Sequence, residues 1–208
     1  IHSICVDPRS SKTIRLGVSC GGVWQTDDGG LTWSCRADGM RAEFLPPEME
    51  SEPWQQDPHL LVQSPFNPDR LWVQHHNGIF FSSDGSASWQ ELHAKPSSFG
   101  FAVAVHPSEP DTAWFVPGIK DELRIPVDGK LVVTRTRDGG KTWQSLTNGL
   151  PQTHAYDLAY RHALTIDKTG NRLAFGTTTG NVYVTEDQGE SWQTLSNSLP
   201  PVHAVRFI

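Results

Sequence analysis

The chain has 208 residues, of which 37% are hydrophobic and 19% charged, and a formal net charge of −6. That length supports one sizeable core or two small ones, and an acidic balance without a basic run gives nucleic acid no electrostatic footing. No apolar stretch approaches the ~18 residues of a membrane span, so neither nucleic acid nor a membrane is an expected partner.

The predicted elements come in sets of four strands. The first set opens with "HSICVDP" and "TIRLGVS", turns at Gly21-Gly22, and enters "TDDGGLTW", Thr26 to Trp33. Its three cysteines, Cys5, Cys20 and Cys35, are an odd and sparse set, which points to free thiols and a reducing, cytoplasmic setting. An acidic insertion from Met40 to Pro58 follows, carrying Glu43, Glu48, Glu50, Glu52 and Trp54. The second set runs "HLLVQSP", "DRLWVQH", the turn "HHNG", and "SSDGSASW", Ser82 to Trp89. The third has "FAVAVHP" and "DTAWFVP", then the long connection "PGIKDELRIPVDGK" before "TRDGGKTW", Thr136 to Trp143. After "THAYDLAYRHAL", read as loop then strand, the fourth set gives "HALTIDK", "NRLAFGT" and "TEDQGESW", Thr185 to Trp192. The chain closes on "VHAVRFI".

The four tryptophans are 56, 54 and 49 residues apart, which is a structural period. Short alternating strands at that period predict an all-β fold built from four-stranded antiparallel meanders. Such units, which cannot bury both faces alone, are the blades of a β-propeller. The blades are placed at about 1–40, 59–95, 99–148 and 160–197, with 203–208 as the first strand of a further blade. That leftover strand predicts part of a larger ring of roughly six to eight blades. A closed four-bladed ring, or a homo-oligomer whose second chain completes the ring, are the alternatives.

The repeated octapeptide has a local role. A hydroxyl and a carboxylate two residues apart can bond turn N–H groups, glycine supplies positive φ, and tryptophan plugs the hairpin. Thr26, Asp28, Gly30 and Trp33 are therefore read as structural, as are Ser82, Asp84 and Trp89. So are Thr136, Asp138, Gly140 and Trp143, and Thr185, Asp187, Gly189 and Trp192. The second turn departs from the others, with Ser86 at the second glycine position. These octapeptides resemble the Asp-box, or bacterial neuraminidase repeat, of pattern S/T-x-D-x-G-x-T/S-W. The resemblance covers almost the whole chain and implies a sialidase-like propeller. Because the repeat occurs in sialidases, xyloglucanases, sortilin-type receptors and photosystem assembly factors, it implies a fold and leaves the activity open. It also implies that ligands bind on the face opposite the boxes.

Candidate site residues on that face follow from register. Five residues before each first-strand corner lie His2, His59, Phe101, His162 and, by extension, His203. This column is either one packing histidine copied with its blade, or a ring of imidazoles suited to metal, anion or sugar. His2, His59 and His162 precede Ile4, Leu61 and Leu164 by two, so period-two alternation puts each histidine on the same side as its apolar neighbour. His75 and His76 of "HHNG" reach the same face. The long third-blade loop adds Lys120, Asp121, Glu122 and Arg124, and its Arg124-Ile125-Pro126 resembles the arginine motif of sialidases. Glu122 and Asp157 could supply the two carboxylates of a glycosidase, with Arg124 as anion grip. The acidic insertion is either a solvated loop or an overhang of the pocket, in which case Trp54 is its sugar-stacking candidate.

Two functions remain open from sequence. One is a ligand- or glycan-binding or assembly module, which would take a small molecule, a glycan or a protein partner. The other is a glycoside hydrolase. No cofactor is evident, and a metal would sit at the histidine column.

Overall fold

The computed structural model describes residues 1–208 as four separate sheets, each of four antiparallel strands in chain order. The first holds β1 (Ser3–Asp7), β2 (Ser10–Val18), β3 (Gly22–Thr26) and β4 (Ser34–Cys35). The second holds β5 (Pro58–Gln63), β6 (Leu71–His75), β7 (Ile79–Ser82) and β8 (Gln90–Leu92). The third holds β9 (Gly100–Val105), β10 (Ala113–Pro117), β11 (Val133–Thr136) and β12 (Gln144–Leu146). The fourth holds β13 (Leu164–Ile166), β14 (Leu173–Gly176), β15 (Val182–Thr185) and β16 (Gln193–Ser196). Four-stranded meanders stacked face to face are the blades of a β-propeller. The segment "THAYDLAYRHAL" becomes a loop, a 3-10 turn at Arg161–Ala163, and then β13. No helix is long and apolar enough to cross a membrane.

Strand alternation explains the stacking. Along β5, Leu61 joins Val23, Leu71, Val73 and Phe80 in the core shared with blade one. Its neighbour Leu60 points the other way, into the core shared with blade three, beside Trp72, Val103 and Phe115. Blades three and four share Ala102, Trp114, Leu164, Phe175 and Trp192. Trp72 and Trp114 are fully buried, and truncating either to alanine should cost about 3–5 kcal/mol. The other face of blade one carries the row Ile4–Leu16–Trp24 with no blade upon it, and Ile4 is 68% exposed. Residues 203–208, expected as a further first strand, join no sheet. They lie along blade four, where Val202 N–H donates to Thr177 O and Val205 N–H to His162 O, each at 3.0 Å.

All four octapeptide turns share one geometry. The Thr or Ser hydroxyl donates to the aspartate Oδ1 at 2.7 Å in Thr26–Asp28, 2.8 Å in Ser82–Asp84, 2.9 Å in Thr136–Asp138 and 2.6 Å in Thr185–Asp187. The same hydroxyls accept N–H bonds from Gly30, Ser86, Gly140 and Gly189. Each turn needs two consecutive positive-φ residues, and Ser86 meets the second with φ 72°. Ser86 holds that conformation inside the blade interface, where its hydroxyl donates to Gln25 Oε1 at 2.8 Å.

The tryptophans of these turns are not equivalent plugs. Trp89 and Trp192 are buried, Trp143 is partly covered, and Trp33 is 38% exposed. Trp89 Nε1 donates across the interface to Arg36 O of blade one, whereas Trp33 and Trp143 cap the Gly30 and Gly140 carbonyls of their own turns. Trp33 stays open because it lies on blade one, whose outer face has no neighbour. Other stitches also join blades at their turn edge. Arg15 of blade one reaches Ser86 of blade two, and Trp114 and Arg135 of blade three both donate to Gln188 O of blade four at 2.9 Å.

Candidate functional site

In a meander the edge opposite the octapeptide turns carries the first-strand starts and the second-to-third-strand turns. Three loops converge there: the insertion before β5, the turn at His76-Asn77, and the connection between β10 and β11. They border an open cavity of about 370 Å³ lined by Phe44, His76, Phe99, Lys120, Asp121 and Glu122, among others. The acidic insertion is an ordered wall of this cavity. Arg41 pairs with Glu91 at 3.0 Å and with Glu43, and Ala42 N–H donates to Glu50 O at 2.8 Å. Buried Gln56 donates its amide to the carbonyls of Glu50 and Glu52. This fixes Phe44 with its ring centroid 4.6 Å from that of His76. Trp54 lies elsewhere, 57% exposed on the 3-10 turn Pro53–Gln55 beside β3, and does not line the cavity.

Beside the cavity a β-bulge decides where His59 points. Pro58 pairs with His75 and Leu60 with Gln74, so His59 is the extra residue. The bulge overrides the expected alternation. His59 turns toward blade three, opposite to Leu61, and stacks on Phe101 at 4.3 Å and 11°. Blade three is irregular at the matching place, between the Phe115–Val103 and Pro117–Gly100 pairs. His59 Nδ1 bonds Gly100 O at 2.7 Å, which leaves Nε2 facing Asp57 Oδ2 at 3.7 Å. Asp57 Oδ2 is also 3.2 Å from His76 Nδ1, while Oδ1 accepts the Ser19 hydroxyl at 2.7 Å and the Cys20 N–H at 3.0 Å. His75 is fully buried and accepts the Asp57 N–H on Nε2 at 2.8 Å.

These contacts set the charge states. Burial drives the His59 pKa down to about 4 and that of His75 down to about 3, so both imidazoles are neutral near pH 7. The bond to Asp57 raises the His76 pKa against the opposing effect of burial. Burial pushes the Asp57 carboxyl upward, but bonds from His76, Ser19 and Cys20 outweigh it and hold the group below the usual carboxylate range. On the far side Arg124 pairs with Asp121 at 2.6 Å, bonds Tyr160 Oη at 3.4 Å, and lies over Phe101 at 5.2 Å. Arg161 covers the same ring at 5.4 Å and donates to His59 O at 3.0 Å.

The histidine column divides among three surroundings. His59 joins Asp57 and His76. His2 and His162 line a second cavity of about 490 Å³ between the first strands, together with Ile4, Leu61, Arg161 and Arg206. His162 sits in the 3-10 turn and not on a strand, so the alternation argument does not reach it. His203 is exposed, its ring 6.0 Å from that of Tyr160. The carboxylate pair also separates. Asp157 is buried, its Oδ1 taken by Thr177, Thr179 and Asn181, whereas Glu122 is exposed and held below its ordinary pKa by a backbone bond and Lys120. Sequence reasoning missed Asp57, Phe44, Phe99 and Arg161. Only Asp57 left a usable trace, as the acidic partner in Asp57-Pro58-His59.

No family model matches the sequence, and no curated protein matches it. Solved structures do share its fold. An ancestral GH74 enzyme superposes with a TM-score of 0.69 at 17% identity, over 94% of this chain and 24% of that one. The GH74 xyloglucanase from Xanthomonas campestris gives 0.64 at 16% identity, over 93% and 29% of the two chains. The GH74 enzyme from Niastella koreensis gives 0.61 at 16%, over 92% and 28%. The chain thus spans about a quarter of the length of the enzymes it resembles, and at these identities the likeness establishes its fold: a β-propeller.

Proposed function

We propose that this chain is a carbohydrate-binding propeller module of the sialidase-like Asp-box kind, which takes a glycan on the face opposite its octapeptide turns. The observation that carries this reading is the make-up of the 370 Å³ cavity. Phe44 offers an exposed apolar ring over a floor that includes the buried Phe99, and Lys120, Asp121 and Glu122 offer donors and acceptors beside it. A sugar has the matching halves, an apolar C–H face and a rim of hydroxyls. The fold shared with GH74 enzymes, one of them a xyloglucanase, makes xyloglucan oligosaccharides the first ligands to try.

Hydrolysis is the second reading, and the carboxylates weigh against it. A glycosidase needs a carboxyl held protonated near neutral pH. Asp57 and Glu122 are both held below the ordinary range, and Asp157 is turned inward. We further propose that a second copy covers the open face of blade one, and that the free thiols of Cys5, Cys20 and Cys35 fit a reducing, cytoplasmic setting. The test is direct binding to a panel of neutral and acidic oligosaccharides. Saturable binding at micromolar to millimolar affinity is expected, and no binding across the panel would contradict the proposal.

A further inference from the structure

We propose that Asp57, His59 and His76 form a mononuclear site for a divalent transition-metal ion of the zinc type, with its fourth position left to water or to a ligand in the adjoining cavity. The three ligand atoms lie within 4.8 Å of one another. Asp57 Oδ2 is 3.2 Å from His76 Nδ1 and 3.7 Å from His59 Nε2. A tetrahedral ion with bonds of about 2.0–2.1 Å holds its ligand atoms roughly 3.4 Å apart, so small side-chain adjustments close the geometry.

The hydrogen bonds behind the ligands are those a metal site requires. His59 gives its Nδ1 proton to Gly100 O, so Nε2 presents a lone pair. Asp57 is oriented in the same way: the Ser19 hydroxyl and the Cys20 N–H occupy Oδ1, and Oδ2 is aimed at the two histidines. His75 pins the Asp57 backbone from behind, and the bulge fixes His59. Two electron-rich atoms, His59 Nε2 and Asp57 Oδ2, therefore face each other beyond hydrogen-bond reach in residues only 3% and 6% exposed, and the one proton between Oδ2 and the histidines is that of His76 Nδ1, which an ion would displace. A cation between them resolves that opposition. The nearby guanidinium groups are engaged elsewhere, Arg161 on His59 O and Arg124 on Asp121.

Two imidazoles and one carboxylate suit zinc, cobalt or nickel, whereas calcium and magnesium require more oxygen donors. The site does not depend on the carbohydrate reading, since each can be measured without the other. The experiment is calorimetric titration of chelator-treated protein with zinc alone, together with the visible spectrum of the cobalt(II) form. One ion per chain is expected, with cobalt bands of four-coordinate intensity. His76→Ala and Asp57→Asn should each weaken uptake at least 100-fold, and His93→Ala, at an exposed histidine outside the Asp57–His59–His76 cluster, should leave it unchanged. His76 is partly exposed, so its variant keeps the fold, which a melt of the metal-free form checks; zinc should raise that melt in the parent and not in the variant. Absence of stoichiometric uptake, parental affinity in both ligand variants, or calcium binding as tightly as zinc would overturn the proposal.

Discussion

Thr142 holds Asp138 twice: its hydroxyl donates to Oδ2 at 2.6 Å and its N–H to Oδ1 at 2.9 Å. The same two bonds recur at Thr32–Asp28, Ser88–Asp84 and Ser191–Asp187. Four copies on one edge, far from the cavity, mark these aspartates as fasteners. Asp138→Ala is expected to lower stability by about 1–3 kcal/mol through unpaired turn donors. Urea unfolding reads that loss, and ligand affinity of the folded variant should match the parent. A folded variant without binding would contradict the assignment.

The same carboxylates predict acid sensitivity. Hydroxyl bonds from Thr32 and Thr142 lower the pKa values of Asp28 and Asp138. At Asp84 and Asp187 burial pushes upward, but the bonds from Ser88 and Ser191 outweigh it, so both are lowered too. A carboxylate with a depressed folded pKa contributes stability that is present above its unfolded value, about 3.9, and is lost as pH falls through the folded value. Urea midpoints should therefore drop steeply below pH ~4, and Asp28→Asn with Asp187→Asn should flatten that slope. An unchanged slope in the double variant would count against this.

Arg135 separates buried from surface charge. Its guanidinium is 1% exposed and bonds Gln188 O, Gln144 Oε1 and Glu190, while Glu190 itself is 57% exposed. Arg135→Ala empties a buried guanidinium site, leaves Gln188 O with Trp114 as its remaining donor, and should cost roughly 2–4 kcal/mol. Glu190→Ala removes a solvated partner and should cost less than about 1 kcal/mol. Equal losses measured by denaturation would show that the ion pair, and not the stitch between blades, is what matters.

Much of the fold could be read from sequence because its signals are local. Thr136, Asp138, Gly140 and Thr142 contact one another within a few residues, and strands such as "FAVAV" alternate until their ends. The site could not be read this way. His59 meets Gly100 across 41 residues and Arg161 across 102. The bulge at Pro58–Leu60 also inverted the side on which alternation places His59. No pattern in a single sequence marks a one-residue bulge, and the column read along the chain disperses in space.

Blade one offers a test of self-association. Ile4 and Val6 are 68% and 51% exposed, and Ile4 stands in a row with Leu16 and Trp24. A contiguous apolar sheet face favours a second copy. Sedimentation velocity should show concentration-dependent association that Ile4→Lys with Val6→Lys suppresses. A strictly monomeric parent would exclude it.

The central claim is that the cavity face binds glycan while the turn face holds the blades together. Phe44 is 45% exposed and stands over His76, so its truncation removes a ligand surface at little cost to the core. The deciding measurement is calorimetric titration of the best-bound oligosaccharide into Phe44→Ala and Asp138→Ala side by side. The account predicts at least a tenfold loss of affinity in Phe44→Ala and parental affinity in Asp138→Ala. Parental affinity in Phe44→Ala together with lost binding in folded Asp138→Ala would contradict it.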